Sequence, residues 1–108
     1  MTDRELKALC RAVGDLSRMR IVRHLASQGE ISVSELAQRL VMSQPLVSWH
    51  LRILRRAGLL GTRRDGRQVY CSLVTARIAE FQDALGELAE PHLGEEPLWE
   101  KSALPSSA

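Results

Sequence analysis

With 108 residues, the chain has the size of one domain around a single core. Its residues are 44% apolar but only 4% aromatic, which predicts a mainly helical core of Leu, Val, Ile and Ala. No apolar run is long enough to span a membrane, and early charges exclude a signal peptide, so we expect a cytoplasmic protein without a membrane partner. It has no glycine-rich phosphate loop, nucleophile elbow or zinc-spaced Cys/His set, which predicts that it is not an enzyme.

The net charge of +2 hides an asymmetry along the chain. Residues 1–77 carry a net charge of +8, whereas residues 78–108 carry −6. Seven arginines and one acid, Asp65, lie between Ser43 and Arg77. A basic segment of this kind attracts polyanions, which predicts salt-dependent binding, but a charge run is more often a solvated surface. Charge alone does not separate these two interpretations.

The first 30 residues predict two helices. Apolar residues at helical spacing place the first helix between Asp3 and Val13, and Gly14 ends it. Asp15 is the expected N-cap of a second helix, which ends near Gly29. The expected core residues of this second helix are Leu16, Met19, Val22 and Leu25.

A short third helix and a tight turn follow. Ser32 and Glu35 stand three residues apart in the pattern of a capping box, which marks a helix N-terminus. Val41 and Met42 then form a turn in front of a further helix. Two helices joined by such a turn are typical of proteins that read duplex DNA.

The fourth helix carries the clearest functional pattern. Ser43 is its expected N-cap, Pro45 fits the first turn because its missing N–H is tolerated there, and Gly58 ends it. On a helical wheel, its core side is formed by Val47, Leu51 and Leu54. The opposite side suits the major groove, where arginine and serine bond to base edges. The candidate base-reading residues are Ser43, Gln44, Ser48, Trp49 and Arg52.

Trp49 allows two interpretations, because a large apolar ring on the outward side of this helix is unusual. It either contacts thymine methyl groups or, in a rotated helix, packs against the first helix or a neighbouring subunit. Arg55 and Arg56 lie near the helix end, where we expect them to clamp phosphates without reading sequence.

A hairpin and a fifth helix complete the predicted domain. Period-two strands at Leu60–Arg64 and Arg67–Leu73 are joined by Asp65-Gly66, a strong signal for a two-residue loop. The arginines at its tip are expected to contact DNA phosphates or the minor groove, and they are Arg63, Arg64 and Arg67. Thr75 begins the fifth helix, which Pro91 closes.

Together these elements predict a mainly α fold with a small β-hairpin, that is, a winged helix-turn-helix of five helices and one two-stranded wing. Residues 1–90 form the expected DNA-binding and dimerisation domain, and residues 91–108 an acidic, flexible tail. The first and fifth helices carry more apolar side chains along one face than one small domain readily buries, which favours a homodimer. The expected interface residues are Leu6, Leu9, Cys10, Val13, Ile78, Phe81, Leu85 and Leu88.

Four segments resemble the successive signatures of the ArsR-type winged-helix repressors, over about residues 6–80. The segments are AVGDLSRMRIVRHL, ISVSELAQRL, SQPLVSWHLRILRRAGLL and RRDGRQVYCSL. The resemblance implies a bacterial homodimeric repressor, joined through its first and last helices, that binds a palindromic operator and responds to an inducer.

The chain departs from this family at the sensing positions. Where metal-sensing members carry paired cysteines, it has Ser32 and Ser34, which supply no thiolate. The positions of the other family metal site read Thr75, Arg77, Leu88 and Pro91. Either the protein senses another signal, with no cofactor required, or it depends on a partner protein that senses for it. A rival interpretation makes the last helix and the tail a protein-interaction module and the winged domain its scaffold.

The remaining candidate ligands have ordinary alternatives. His24 is expected to pack half-buried, and His50 to belong to the DNA helix or its support. The tail residues His92, Glu95 and Glu96 could hold nickel or zinc weakly, whereas a solvated acidic tail is the simpler interpretation. The two cysteines are expected to be reduced and to pack as small hydrophobes, although a thiol switch between Cys10 residues of two subunits stays open.

Overall fold

The computed structural model describes residues 1–90 of the chain. The predicted tail lies outside the described residues, together with Pro91 and the candidate ligands His92, Glu95 and Glu96. The elements are α1 (Asp3–Val13), α2 (Leu16–Gln28), β1 (Ile31–Ser32), α3 (Val33–Leu40), α4 (Gln44–Arg56), β2 (Leu60–Asp65), β3 (Gln68–Leu73) and α5 (Thr75–Ala89). None of these helices is long and apolar enough to cross a bilayer.

The sheet has three strands, so the expected two-stranded wing was wrong. Its order is β1-β3-β2, with antiparallel pairing throughout and Ile31 opposite Cys71. The Cys71 thiol is buried and donates to the carbonyl oxygen of Ile31 at 3.5 Å. Two residues are too few to show the period of a strand, and the partner strand lies 40 residues further along. The sequence pattern therefore could not indicate β1.

The hairpin loop is displaced by one residue from the predicted Asp65-Gly66. Asp65 pairs with Gln68, which leaves Gly66 and Arg67 as the two loop residues. Gly66 has φ 62°, whereas Arg67 has no positive φ. A positive φ at the first loop position alone is the pattern of a type II′ turn, which favours glycine there. Arg67 consequently lies in the loop and not in the strand.

Side chains cap four helices, and the predicted N-caps Asp15, Ser32 and Ser43 are all confirmed. The predicted capping box at α3 is only half formed. Ser32 Oγ accepts from the Glu35 amide at 3.2 Å, but the Glu35 carboxylate instead accepts from Arg39 at 2.7 Å. A complete capping box occurs at α1, between Thr2 and Glu5.

The core differs from the expected stripe on α2. The structure buries Ile21 and Leu25, whereas Leu16 is 77% exposed. The expected residues are spaced by three, which is shorter than the helical repeat of about 3.6 residues. The stripe therefore drifts around the helix, and Leu16 and Leu25 point in opposite directions, about 180° apart. The first helix holds a second correction, because Leu9 is completely buried within the single chain and packs in its core. Leu9 is therefore not part of a free dimer surface.

Val41 occupies a strained conformation between α3 and α4. It is the C-cap of α3 with φ 55° and ψ 51°, and it is the one non-glycine residue with a positive φ in the described part of the chain. A β-branched residue in this left-handed region is an outlier, which costs about 1–2 kcal/mol. Its side chain is 89% exposed and gains almost no burial in return.

We expect Val41→Asn to raise the free energy of unfolding by about 1 kcal/mol, because asparagine tolerates the left-handed region and no buried contact is lost. Urea denaturation monitored by circular dichroism measures the change. Val41→Thr keeps the branched Cβ and serves as the control, with little change expected. Equal stabilities for the Asn and Thr variants would show that the backbone at this position is not strained.

Candidate nucleic-acid interface

Helix α4 presents the outward face that the helical wheel predicts. Val47 and Leu54 are completely buried, and Leu51 nearly so, which points this side of the helix into the core. Ser48 and Arg52 are exposed on the opposite side. The remaining candidate base-reading residues, Ser43, Gln44 and Trp49, are exposed as well.

A groove of about 350 Å³ separates α4 from the wing. Three guanidinium groups border it, from Arg52 and Arg55 on α4 and Arg64 on β2. Arg55 Nη1 donates to Thr62 Oγ1 at 3.3 Å, which joins the helix to the wing across the groove. Among residues 1–90, no carboxylate lines this groove. A surface with several guanidinium groups, hydroxyls and no acid suits the phosphate oxygens of a nucleic acid.

Arg63 does not share this groove, because side chains alternate along β2. Its guanidinium is bound by the Glu30 carboxylate at 2.6 and 2.9 Å and lies 4.5 Å from the centre of the Tyr70 ring. The hydrogen bond from Arg63 lowers the pKa of Glu30, and the same bond raises the pKa of Arg63. Arg63 is thus paired within the chain, which separates it from the tip arginines with which the sequence grouped it.

The other arginines of the predicted interface have no carboxylate partner among the described residues. Within residues 1–90, no ion pair joins Arg52, Arg55 or Arg56 to a carboxylate. The same holds for Arg64 and for Arg67 in the loop. All five are exposed. Among the described residues, five positive charges on α4 and the wing are therefore available to contact a polyanion.

A polar cluster that sequence reasoning missed supports α4 from behind. His50 is buried, and Arg18 Nη1 lies 3.2 Å from its Nδ1, while Asp15 Oδ2 lies 4.0 Å from the same nitrogen. Burial lowers the pKa of His50 below its ordinary 6.5; the nearby Asp15 charge opposes this shift and the Arg18 charge adds to it. Trp49 packs edge-on against His50, with ring centres 4.9 Å apart. His50 thus belongs to the support of the helix.

The contacts that the structure gives Trp49 are with α4 itself and with α2, which neither interpretation named. One side of the ring packs against His50 and lies near Arg18, whose guanidinium carbon is 6.0 Å from the ring centre. The side chain is nevertheless 50% exposed on the outward part of α4. The ring is therefore anchored to its own chain and still available for contact.

The positions that the resemblance to ArsR-type repressors marks as metal sites have other roles in this chain. Ser32 Oγ caps α3 and lies 3.4 Å from Ser34 Oγ, which donates to Gln68 Oε1 at 3.2 Å. Arg77 Nε donates to the carbonyl oxygen of Ala57 at 3.3 Å, and its Nη1 contacts Glu80 at 3.2 Å. Across residues 1–90, no three His, Cys, Asp or Glu side chains converge in a way that could hold a metal ion.

The predicted dimer residues divide by burial. Leu6, Val13, Ile78 and Phe81 are partly buried within the chain. Cys10, Leu85 and Leu88 are exposed. Helices α1 and α5 pack against each other, and Arg77 Nη1 lies 3.8 Å from Glu5 Oε2 between them. Leu85 and Leu88 are thus apolar residues of α5 that the described part of the chain leaves exposed. His24 is half-buried, as predicted, and Arg39 Nη1 lies 3.5 Å from its Nε2.

The order of a helix, a turn, a second helix and a β-wing defines a winged helix-turn-helix protein. Residues 13–63 match a family model described as a helix-turn-helix domain. A transcriptional regulator of Methanocaldococcus jannaschii is 33% identical over 72% of this chain and 88% of its own length. The biofilm growth-associated repressor of Agrobacterium fabrum is 36% identical over 75% of this chain and 68% of its own.

The solved structures agree with these relatives. An ArsR-like transcriptional regulator from Rhodococcus has a TM-score of 0.71 and 27% identity, over 79% of each chain. The chain therefore belongs to the ArsR-type (ArsR/SmtB) winged helix-turn-helix transcriptional regulators, which are DNA-binding proteins and not enzymes.

We expect the free energy of unfolding to decrease as the pH falls below about 6.5. The lowered pKa of His50 means that the unfolded chain binds its proton more readily than the folded chain does, so acid favours unfolding. Urea denaturation at several pH values between 5 and 8 measures this slope. His50→Gln should flatten the slope in this window, whereas the control His24→Gln should keep it. Identical slopes for wild type and His50→Gln would contradict the prediction.

Proposed function

We propose that the chain is a transcriptional repressor that binds a palindromic operator as a homodimer, with α4 in the major groove and the wing on the adjacent backbone. The observation that carries this proposal is the basic surface of α4 and the wing. Within residues 1–90, no ion pair joins a guanidinium group that borders the groove to a carboxylate. The repressor name of the A. fabrum relative supports the sign of regulation.

In this proposal the two parts of the surface have different tasks. The exposed side of α4 reads base edges through Ser43, Gln44, Ser48, Trp49 and Arg52. The phosphates are bound by Arg55, Arg56, Arg64 and Arg67, which hold the position of the protein without reading sequence. Arg63 is left out of this second group, because its charge is already used by Glu30.

A second copy of the chain is the proposed partner. Leu85 and Leu88 are 44% and 74% exposed at the end of α5, where they continue an apolar stripe that includes Phe81. A two-fold dimer buries such a stripe against its own copy and presents two recognition helices to successive turns of DNA. The apolar stripe and the proposed palindromic operator are thus both consistent with a two-fold symmetric dimer.

We further propose that operator binding requires no cofactor. Ser32 and Ser34 are hydrogen-bonded hydroxyls, and Arg77 is a cation, so these positions offer poor ligands to a metal. The signal that releases the operator then comes from another ligand class or, as a second candidate, from a sensing partner protein. A mobility shift on the DNA upstream of its own reading frame, at several salt concentrations, tests operator binding. No retardation at low salt would favour the scaffold interpretation instead.

Arg52→Ala should cost about 1–3 kcal/mol at one operator position and relax the base preference there, because a bidentate contact to a base is lost. Arg64→Ala should weaken binding to all sequences and reduce the salt slope by about one unit, because a phosphate contact is lost. Fluorescence anisotropy with operator variants and salt titrations measures both effects.

The matched control for these variants is Arg63→Ala, which removes a neighbouring arginine of the same wing. Since Arg63 is bound by Glu30, we expect this variant to keep the wild-type salt slope. A salt slope reduced equally by Arg63→Ala and Arg64→Ala would overturn the division of the wing into a DNA-facing side and a structural side.

Leu85→Glu should convert the homodimer to a monomer and reduce operator affinity at least tenfold, because each half-site alone supplies too few contacts. Sedimentation equilibrium and anisotropy measure the two effects on the same samples. Leu16→Glu changes another exposed leucine, on α2, and serves as the control, which should remain dimeric. A monomeric Leu85→Glu with full operator affinity would contradict the proposal.

A further inference from the structure

One guanidinium group connects three elements of the chain on the side of α4 that faces away from the wing. Arg18, in the first turn of α2, donates from Nε to the carbonyl oxygen of Ala12 at 2.7 Å and from Nη2 to that of Arg11 at 3.3 Å. Its third nitrogen, Nη1, lies 3.2 Å from Nδ1 of His50 on α4. Each nitrogen of the group therefore has a separate partner.

We propose that Arg18 is a positioning residue for DNA binding, which fixes the recognition helix α4 and the exposed ring of Trp49 against the end of α1 without itself touching DNA. The inference rests on the proposed function, because it concerns how the DNA-reading helix is held. No role in DNA binding was assigned to Arg18 by the sequence pattern or by the groove described above.

The hydrogen-bond chemistry at His50 explains why the contact is directional. A guanidinium group only donates, so Nδ1 must accept and the ring proton must lie on Nε2. His50 is 5% exposed, so its Nδ1 has little access to water that could replace Arg18. The planar fork of Arg18 therefore determines both the tautomer and the orientation of this ring on α4.

The contacts with α1 anchor the other end of the same group. The carbonyl groups of Arg11 and Ala12 lie in the last turn of α1, where helix carbonyls lack partners within the helix. A cation at a helix C-terminus is stabilised by the helix dipole as well as by these hydrogen bonds. Arg18 thus joins the helix that carries part of the proposed dimer surface to the helix that carries the base-reading residues.

Trp49 places this linkage on the surface that faces DNA. Its ring packs edge-on against His50, with Arg18 6.0 Å from the ring centre, and it is nevertheless half exposed. Loss of Arg18 would remove two restraints on Trp49. His50, against which the ring packs, would lose its hydrogen-bond partner, and the ring itself would lose the nearby guanidinium group. The exposed ring would then occupy several orientations, and a base contact made by it would weaken.

Arg20 provides a matched control on the same helix. Its Nη2 donates to the carbonyl oxygen of Leu40 at 3.3 Å, so it too caps the end of a helix, in this case α3. No hydrogen bond or ion pair within residues 1–90 joins Arg20 to α4. A variant of Arg20 therefore loses an arginine–carbonyl hydrogen bond but no contact with α4, whereas a variant of Arg18 loses both.

The test compares full-length Arg18→Gln and Arg20→Gln in a Trp99→Phe background, so that emission reports Trp49 alone. Arg18→Gln should increase acrylamide quenching of Trp49, raise the pKa of His50 measured by NMR because a nearby positive charge is removed, and weaken operator binding about tenfold. Arg20→Gln should change none of the three. Wild-type quenching, His50 titration and operator affinity in a folded Arg18→Gln variant would overturn the proposal.

A second pair of variants covers the case in which Arg18→Gln does not fold. His50→Asn retains a hydrogen-bond acceptor for Arg18 and should keep operator affinity. His50→Leu removes the acceptor but still fills the buried space, and it should lower operator affinity about tenfold. Equal affinities for these two variants would also overturn the proposal. If the wild-type chain binds no DNA, the proposed function fails, while the quenching and NMR measurements still decide whether Arg18 orients His50 and Trp49.

Discussion

The burial of one side of α4 is the interaction on which the proposed DNA-binding surface depends. Val47, Leu51 and Leu54 fill the core, and a buried side chain of this size contributes about 1.5–3 kcal/mol. Rotating the helix enough to hide Ser48 or Arg52 would expose this stripe and bury a guanidinium, which is far more costly than any exposed contact could offset. The hydrophobic core therefore determines which side of α4 can meet a ligand.

Charge pairing then divides the arginines that this core places on the surface. Arg64 borders the groove and Arg63, one residue earlier, lies on the other side of the strand, where Glu30 binds it. Arg18 resembles Arg63 in that its guanidinium group is engaged within the chain, since each of its three nitrogens has a partner. The arginines of this basic chain thus form two groups. One group makes contacts that stabilise the fold, and the other is available to bind phosphate.

The residues that support the interface come from distant parts of the chain. Glu30 and Arg63 are 33 residues apart, and Arg18 and His50 are 32 apart. Each pair joins a segment of the α1–α2 region to the wing or to α4. The position of the proposed DNA-reading elements relative to the first two helices therefore depends on a few polar contacts between them as well as on the apolar core.

The sequence by itself determined the five helices, three of their caps and the outward side of α4, because helical periodicity and capping depend on neighbours within four residues. It did not indicate β1, the pairing of Arg63 or the role of Arg18, and it placed Leu9 and Leu16 on the wrong surfaces. These features depend on which segments meet after folding. Only the tertiary structure decided them, because a two-residue strand has no measurable period and a charge does not show its distant partner in the sequence.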